Sequence, residues 1–213
     1  MPNLVLIIIG ARAAGIGASR AATQAGLTHQ VIEAAHRIGG RPYTEELAPG
    51  VAFDLGCHWL HTPDINPLVP EADRLGITID RNFAFSAHLW LNGRHATPAE
   101  VKAYGEYFDW AESDSGLALP PGGDRDVLSL LDVNSPYFAP YAHVFSVIHA
   151  ADPDQVSAQD VMAQVANGGD WPVRDGLGRM MERLGAGMPV SLNTIAQEGD
   201  FSPRDHVVVR TNK

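Results

Sequence analysis

Leu4 to Ile9 is an unbroken run of Leu, Val and Ile, the pattern of a strand buried on both faces of a parallel sheet. A glycine-bounded turn follows, Gly10 to Gly15. Ala13 to about Gln24, rich in small residues, then predicts a helix that Gly26 is placed to stop. His29 to Glu33 is a second short apolar strand. Strand, helix and strand within about 30 residues predict a βαβ unit, with parallel strands and a right-handed crossover.

Beyond Pro42 the pattern changes. Val51 to Leu55 predicts a strand, Asn66 to Leu75 a helix, and Phe83 to Leu91 a strand that enters a hairpin turn at Asn92-Gly93. Pro98 to about Ser113 reads as helical. Pro120-Pro121-Gly122-Gly123 is the clearest break in the chain. Further helices are expected at Asp126 to Asp132, at Tyr137 to Ala150, from Ser157 (with capping-box spacing to Asp160) and from Gly176 to Leu184. Strand chemistry returns at Val190 to Asn193 and Val207 to Arg210. The helical spacing of Tyr104, Tyr107, Phe108 and Trp110, with Trp90 nearby, favours core over the lining of an amine pocket. The pattern divides into residues 1–80, a helical and hairpin segment over 81–170, and a return to the first domain over 171–213. A strand-like run with nothing after it to continue the sheet reads as a truncated domain.

Composition narrows the function classes. The 213 residues carry a net charge of -10 and no basic run, which argues against a nucleic-acid partner, because phosphate neutralisation needs clustered Lys and Arg. No apolar stretch reaches the roughly 18 residues of a membrane span. Cys57 is the single cysteine, so no internal disulfide can form, and the cytoplasm is the expected setting. The charge is uneven: residues 1–42 hold four arginines against Glu33, a balance of +3, while the remainder stands at -13. A locally positive segment on an acidic protein suits a bound anion.

That segment carries the motif. Gly10-Ala11-Arg12-Ala13-Ala14-Gly15 lies between the predicted strand and helix, and Glu33 closes the next strand. In a dinucleotide site the first glycine makes the tight turn and the third lets helix pack on strand. The helix N-terminus faces the pyrophosphate, and the acid accepts from ribose hydroxyls. Gly10, Gly15 and Glu33 fit these roles. Arg12 stands where a middle glycine is usual. Either its side chain folds over the phosphates as a clamp, or the site is weakened. Gly39-Gly40 allows a main chain to pass close to a ligand, and Arg41 adds a charge for phosphate.

With Val31-Ile-Glu-Ala-Ala-His-Arg-Ile-Gly-Gly-Arg41 and Asp54-Leu-Gly-Cys-His-Trp59 beside the first motif, the sequence resembles the flavin-containing amine oxidases, the family of the monoamine and polyamine oxidases. The resemblance is strong over residues 4–61 and 168–212 and vague between them. It implies an α/β fold, a Rossmann-type FAD-binding domain with an inserted portion of a substrate domain. It implies FAD as cofactor, held through Gly10, Ala11, Arg12, Ala13, Ala14, Gly15, Glu33, Ala34, Gly39, Gly40 and Arg41. Gly56, Cys57, His58 and Trp59 would run beside the flavin ring, and Ala196 would offer the adenine a backbone contact. The expected reaction is oxidation of an amine or amino acid to an imine. Ala35 and Pro42 depart from the family's pattern, and its active-site lysine has no counterpart at Lys102 or Lys213, so no catalytic residue is assigned.

Two other readings stay open. One is a truncated, catalytically silent remnant that self-associates or needs a complementary chain through exposed apolar surface. The other is an NAD(P)-binding Rossmann domain. His58 and His61 at i, i+3 are better explained by the flavin-side segment than as metal ligands. Cys57 reads as a small hydrophobe rather than a nucleophile.

Overall fold

Pairing in the computed structural model, which describes residues 5–83, 88–113, 115–119, 121–164 and 169–213, starts where the apolar runs place it. Strand β1 (Leu6–Ile9), helix α1 (Ala13–Gln24) and strand β2 (His29–Ile32) form the βαβ unit, with Leu6 to Ile9 in parallel register with His29 to Ile32. Gly26, at φ +69°, stops α1, and Leu27 N–H donates back to the Ala22 carbonyl. The hairpin β3 (Thr44–Ala48) and β4 (Val51–Asp54) follows, then β5 (Trp59–His61) and α2 (Leu68–Leu75).

The chain divides into two compact units, Met1–Phe83 with Asn167–Lys213, and Ala84–Ala166. In the second unit β6 (Trp90–Leu91) and β7 (Arg94–His95) make the hairpin expected at Asn92-Gly93, both of whose turn residues have positive φ. Helices α3 (Pro98–Ala111), α4 (Phe138–His149) and α5 (Ala158–Ala163) surround a core of Tyr107, Ala111, Leu117, Val127, Tyr141 and Phe145. Tyr104, Phe108 and Trp110 pack against that core, as the helical spacing predicts. Trp90 does not: it is exposed and stacks on His95. The helix expected at Asp126 to Asp132 shrinks to a short 3-10 turn, Leu128–Leu130. Val127 and Leu128 N–H instead donate to the distant Val156 and Pro153 carbonyls. The predicted strand from Phe83 and the break at Pro120 lie partly outside the described residues.

Returning to the first unit, β8 (Asp170–Pro172) pairs antiparallel with β5, and α6 (Leu177–Leu184) packs its buried face into a core with Ile16, Leu60, Ala72 and Ile79. Strand β9 (Val190–Ser191) joins β2 in parallel, so the sheet order is β1-β2-β9. The chain then makes a ribbon of β10 (Ala196–Asp200) and β11 (Val208–Thr211). The strand expected at Val207 to Arg210 is therefore paired, with a preceding partner that its own sequence did not announce.

Burial on both faces holds for β2 and not for β1. In β2, Val31 and Ile32 are buried between two neighbouring strands. In β1 only Ile8 is buried, beneath Gly15 of α1. Val5 and Ile9 are 68% and 64% exposed. The reason is positional: β1 is the outer strand of its sheet, and among the described residues α1 covers one of its faces alone.

One charged cluster in the second unit sets a pH dependence. Thr97 caps α3, and Glu100 completes the capping box by accepting from Thr97 N–H (2.8 Å) while pairing with Arg94 (2.8 Å). Arg94 first, then the Thr97 backbone and hydroxyl, pull the Glu100 carboxyl from its ordinary 4.5 down to about 2. The folded value is depressed, so the capping contribution is complete above pH 4.5 and is lost as pH falls toward 2. Protection of the Thr97 and Glu100 amides, taken relative to their intrinsic exchange rates, is expected to fall across that window in wild type and to stay constant in Glu100→Gln.

Candidate functional site

The site grows from the turn between β1 and α1. Gly10 takes φ +95°, which a side chain rarely adopts. Gly15 is bare for a different reason: a Cβ there would lie 1.8 Å from the Gly10 carbonyl oxygen. The two glycines thus let α1 start directly against the strand that feeds it. Arg12 is the N-cap, without a side-chain cap bond, and no acid stands in the first turn. The leading N–H groups and the positive end of the helix are consequently uncompensated by the helix itself.

Glu33, immediately after β2, braces this turn. Its Oε2 accepts from Ala11 N–H at 2.7 Å and its Oε1 from Ala35 N–H at 2.8 Å. Each oxygen keeps a further lone pair, so the carboxylate can hold the loop and still accept from a ligand hydroxyl. The second glycine pair is brought to the same place: Gly39 N–H donates to the Ala11 carbonyl (2.9 Å), and Arg12 bridges to Gly39. Gly39 and Gly40 have φ of +100° and +77°. Arg37, which the sequence reading did not single out, holds that turn. It donates to the Gly40 carbonyl (2.7 Å) and the Pro42 carbonyl (3.1 Å), and lies 4.2 Å above the Tyr43 ring. An arginine two residues ahead of a Gly-Gly pair was the available signal.

Gly56 carries the segment after β4 against this turn, because a Cβ there would meet the Arg41 carbonyl oxygen at 2.2 Å. Cys57 is partly buried against the first unit's core, and the His58 and Trp59 rings lie 4.4 Å apart. His61 pairs with Asp170 (2.6 Å). Among the described residues no group of three or more His, Cys, Asp or Glu side chains is arranged to hold a metal. Thr194 N–H donates to the Glu33 carbonyl (2.8 Å), and Ala196 begins β10 two residues after Thr194. Asp54, also missed from sequence, accepts from Leu177 N–H (3.0 Å) and from the Thr44 hydroxyl, and so caps α6 from a distant strand.

The structure therefore gathers Gly10 to Gly15, Glu33, Ala34, and Gly39 to Arg41 around one helix N-terminus, with Gly56 alongside. These residues fit the phosphates and ribose of an adenine dinucleotide. The glycines give close approach, the helix end and arginines supply positive charge, and Glu33 offers an acceptor. An open groove of about 410 Å³ in the second unit, between Phe138, His143 and Asp152, includes none of the residues singled out by sequence. Among the described residues no helix is long and apolar enough to cross a membrane.

Fold and site have the arrangement of a dinucleotide-binding Rossmann domain. Residues 8–72 match a family profile described as an NAD(P)-binding Rossmann-like domain. Among characterised proteins, the chain is 40% identical over 115 residues to probable polyamine oxidase 4 of Arabidopsis thaliana, a match covering 48% of this chain and 23% of that protein. It is 35% identical over 86 residues to putrescine oxidase of Kocuria rosea, covering 40% of this chain and 18% of that one. A solved putrescine oxidase superposes with a TM-score of 0.67 at 19% identity, covering 97% of this chain and 54% of the other. The chain is thus similar in part of its sequence to polyamine and putrescine oxidases, and its fold matches about half of a solved putrescine oxidase. It spans about half the length of the solved relative, and its matches span a quarter or less of the two curated ones.

Proposed function

We propose that this chain binds FAD and forms the cofactor-holding portion of an oxidase acting on an amine. The observation that carries the reading is the joined pair of glycine turns, in which Ala11 is bonded both to Glu33 and to Gly39. Its relatives' names include polyamine and putrescine oxidases, which makes a small amine the substrate class. When bound, the flavin supplies the two-electron acceptor that turns an amine into an imine. The chain's residues bind and orient it: Gly10 to Gly15 with Gly39 to Arg41 at the phosphates, Glu33 at the ribose, Gly56 to Trp59 beside the ring and Ala196 at the adenine. An NAD(P) dinucleotide is the competing ligand for the same turns. The lone partly buried cysteine suits a reducing cytoplasm.

The visible spectrum of the purified chain with added FAD tests this. A flavin band that stays with the protein through gel filtration, and is not displaced by NAD or NADP, is the expected result. A protein that stays colourless overturns it.

One observation favours a second reading beside the first. Val5 just before β1, Ile9 at its end, and Leu47, Val51, Phe53 and Leu55 around the β3-β4 hairpin, are each at least half exposed. Large apolar side chains exposed in this number are a reason to look for a covering surface. A second copy or a complementary chain is the proposed cover, and sedimentation would show a dimer or larger species at micromolar concentration.

A further inference from the structure

We propose that Arg12 is a phosphate-positioning residue that replaces the usual backbone approach of the middle glycine with a guanidinium contact, and that bare Gly40 is its seat. The inference rests on the dinucleotide reading above and concerns how that site holds the diphosphate. Arg12 has an extended backbone, φ -83° and ψ -176°, so nothing strains it in the glycine's place. Its stem does not project over the turn at random. A Cβ on Gly40 would lie 2.5 Å from Arg12 Cγ and 2.9 Å from Cδ, so the aliphatic part of Arg12 rests directly on the Gly40 backbone. The contact continues the bridge between Arg12 and Gly39 and the bond from Gly39 N–H to Ala11.

The charged end is uncommitted. Most arginines of the first unit are occupied: Arg20 with Glu71, Arg37 with backbone carbonyls, Arg174 with Asp80, Arg179 with Glu46. The Arg12 guanidinium has no hydrogen bond or ion pair among the described residues, though its stem is pinned. A held stem with a free, always-charged fork, beside a turn that fits a diphosphate, is the arrangement of an anion-reading side chain. The alternative is that the stem obstructs the approach to Gly40 and the site has lost its ligand. The two differ in sign and are separable.

The test is FAD binding by quenching of flavin fluorescence, at low and high salt, in wild type, Arg12→Gln, Arg12→Gly, Arg12→Lys and Gly40→Ala, with circular dichroism as the check on folding. Loss of a charge-assisted contact is expected to weaken FAD about 10- to 100-fold in Arg12→Gln and Arg12→Gly. The salt dependence of binding should flatten in both, and Arg12→Lys should restore the slope. Gly40→Ala should weaken binding in both backgrounds, because its φ of +77° strains any side chain, and by more in wild type, where the added Cβ also meets the Arg12 stem. If wild type fails to bind and Arg12→Gly binds, or if the two bind equally, Arg12 is not a positioning residue, yet the dinucleotide reading stands. An unchanged salt slope in Arg12→Gln overturns the proposal as well. Failure of every variant to bind overturns both.

Discussion

Gly15→Ala is expected to abolish FAD binding and to cost the fold about 3 kcal/mol or more. The added Cβ would sit 1.8 Å from the Gly10 carbonyl oxygen and 2.9 Å from its carbon, both backbone atoms of the turn itself. No rotamer change relieves that contact. Either α1 lifts from β1, which exposes Ile8 and Ile16, or the turn opens and Ala11 leaves Glu33 and Gly39. Gly17→Ala, two residues further along the same helix, is the internal control. A Cβ there meets nothing within 4 Å, and the gain in helix propensity should stabilise by about 0.5–1 kcal/mol. Urea unfolding of both variants checks the pair. Equal stability of the two would remove the close-packing account of Gly15.

Glu33→Gln is the second large effect, although it changes one atom type. The two carboxylate oxygens accept from two different N–H groups, Ala11 and Ala35. Glutamine has one acceptor oxygen, so its amide N–H₂ must face one of those donors. Ala11 is fully buried, which makes an unsatisfied N–H there cost about 1–3 kcal/mol. The lost charge also weakens acceptance from the ribose, so FAD affinity should drop about 10- to 100-fold. Denaturant midpoints and fluorescence titration read the two effects separately. A variant with normal stability and normal affinity would show that Glu33 neither braces the turn nor meets the ligand.

The βαβ unit was legible because three independent signals coincided in it: an unbroken apolar run, a small-residue helix and an acid at the end of the second strand. Their side chains act locally, so spacing along the chain reports spacing in the fold. β10 was not legible. Ala196–Asp200 has no apolar alternation, most of it is exposed, and it is a strand only because Val208–Thr211 pairs with it. The same applies to Asp54 and Arg37, whose partners lie on other segments or on the backbone. For Arg12, sequence alone could state that a bulky cation stood in a glycine's place. Its resting position on Gly40 depends on two turns meeting, and only the tertiary structure supplies that.

The central position of β2 also sets an order of events during synthesis. Its first neighbour, β1, is already made when β2 emerges, but its second, β9, pairs Val190 with Val31 from far along the chain. At ordinary ribosomal speeds of about 5–20 residues per second, β2 waits on the order of ten seconds with one edge open. During that interval the intervening Ala84–Ala166 unit, with a core of its own, is produced in full. The insert is expected to be born folded inside a host that is still unfinished, and the nascent sheet edge is where a trigger chaperone would find its hold.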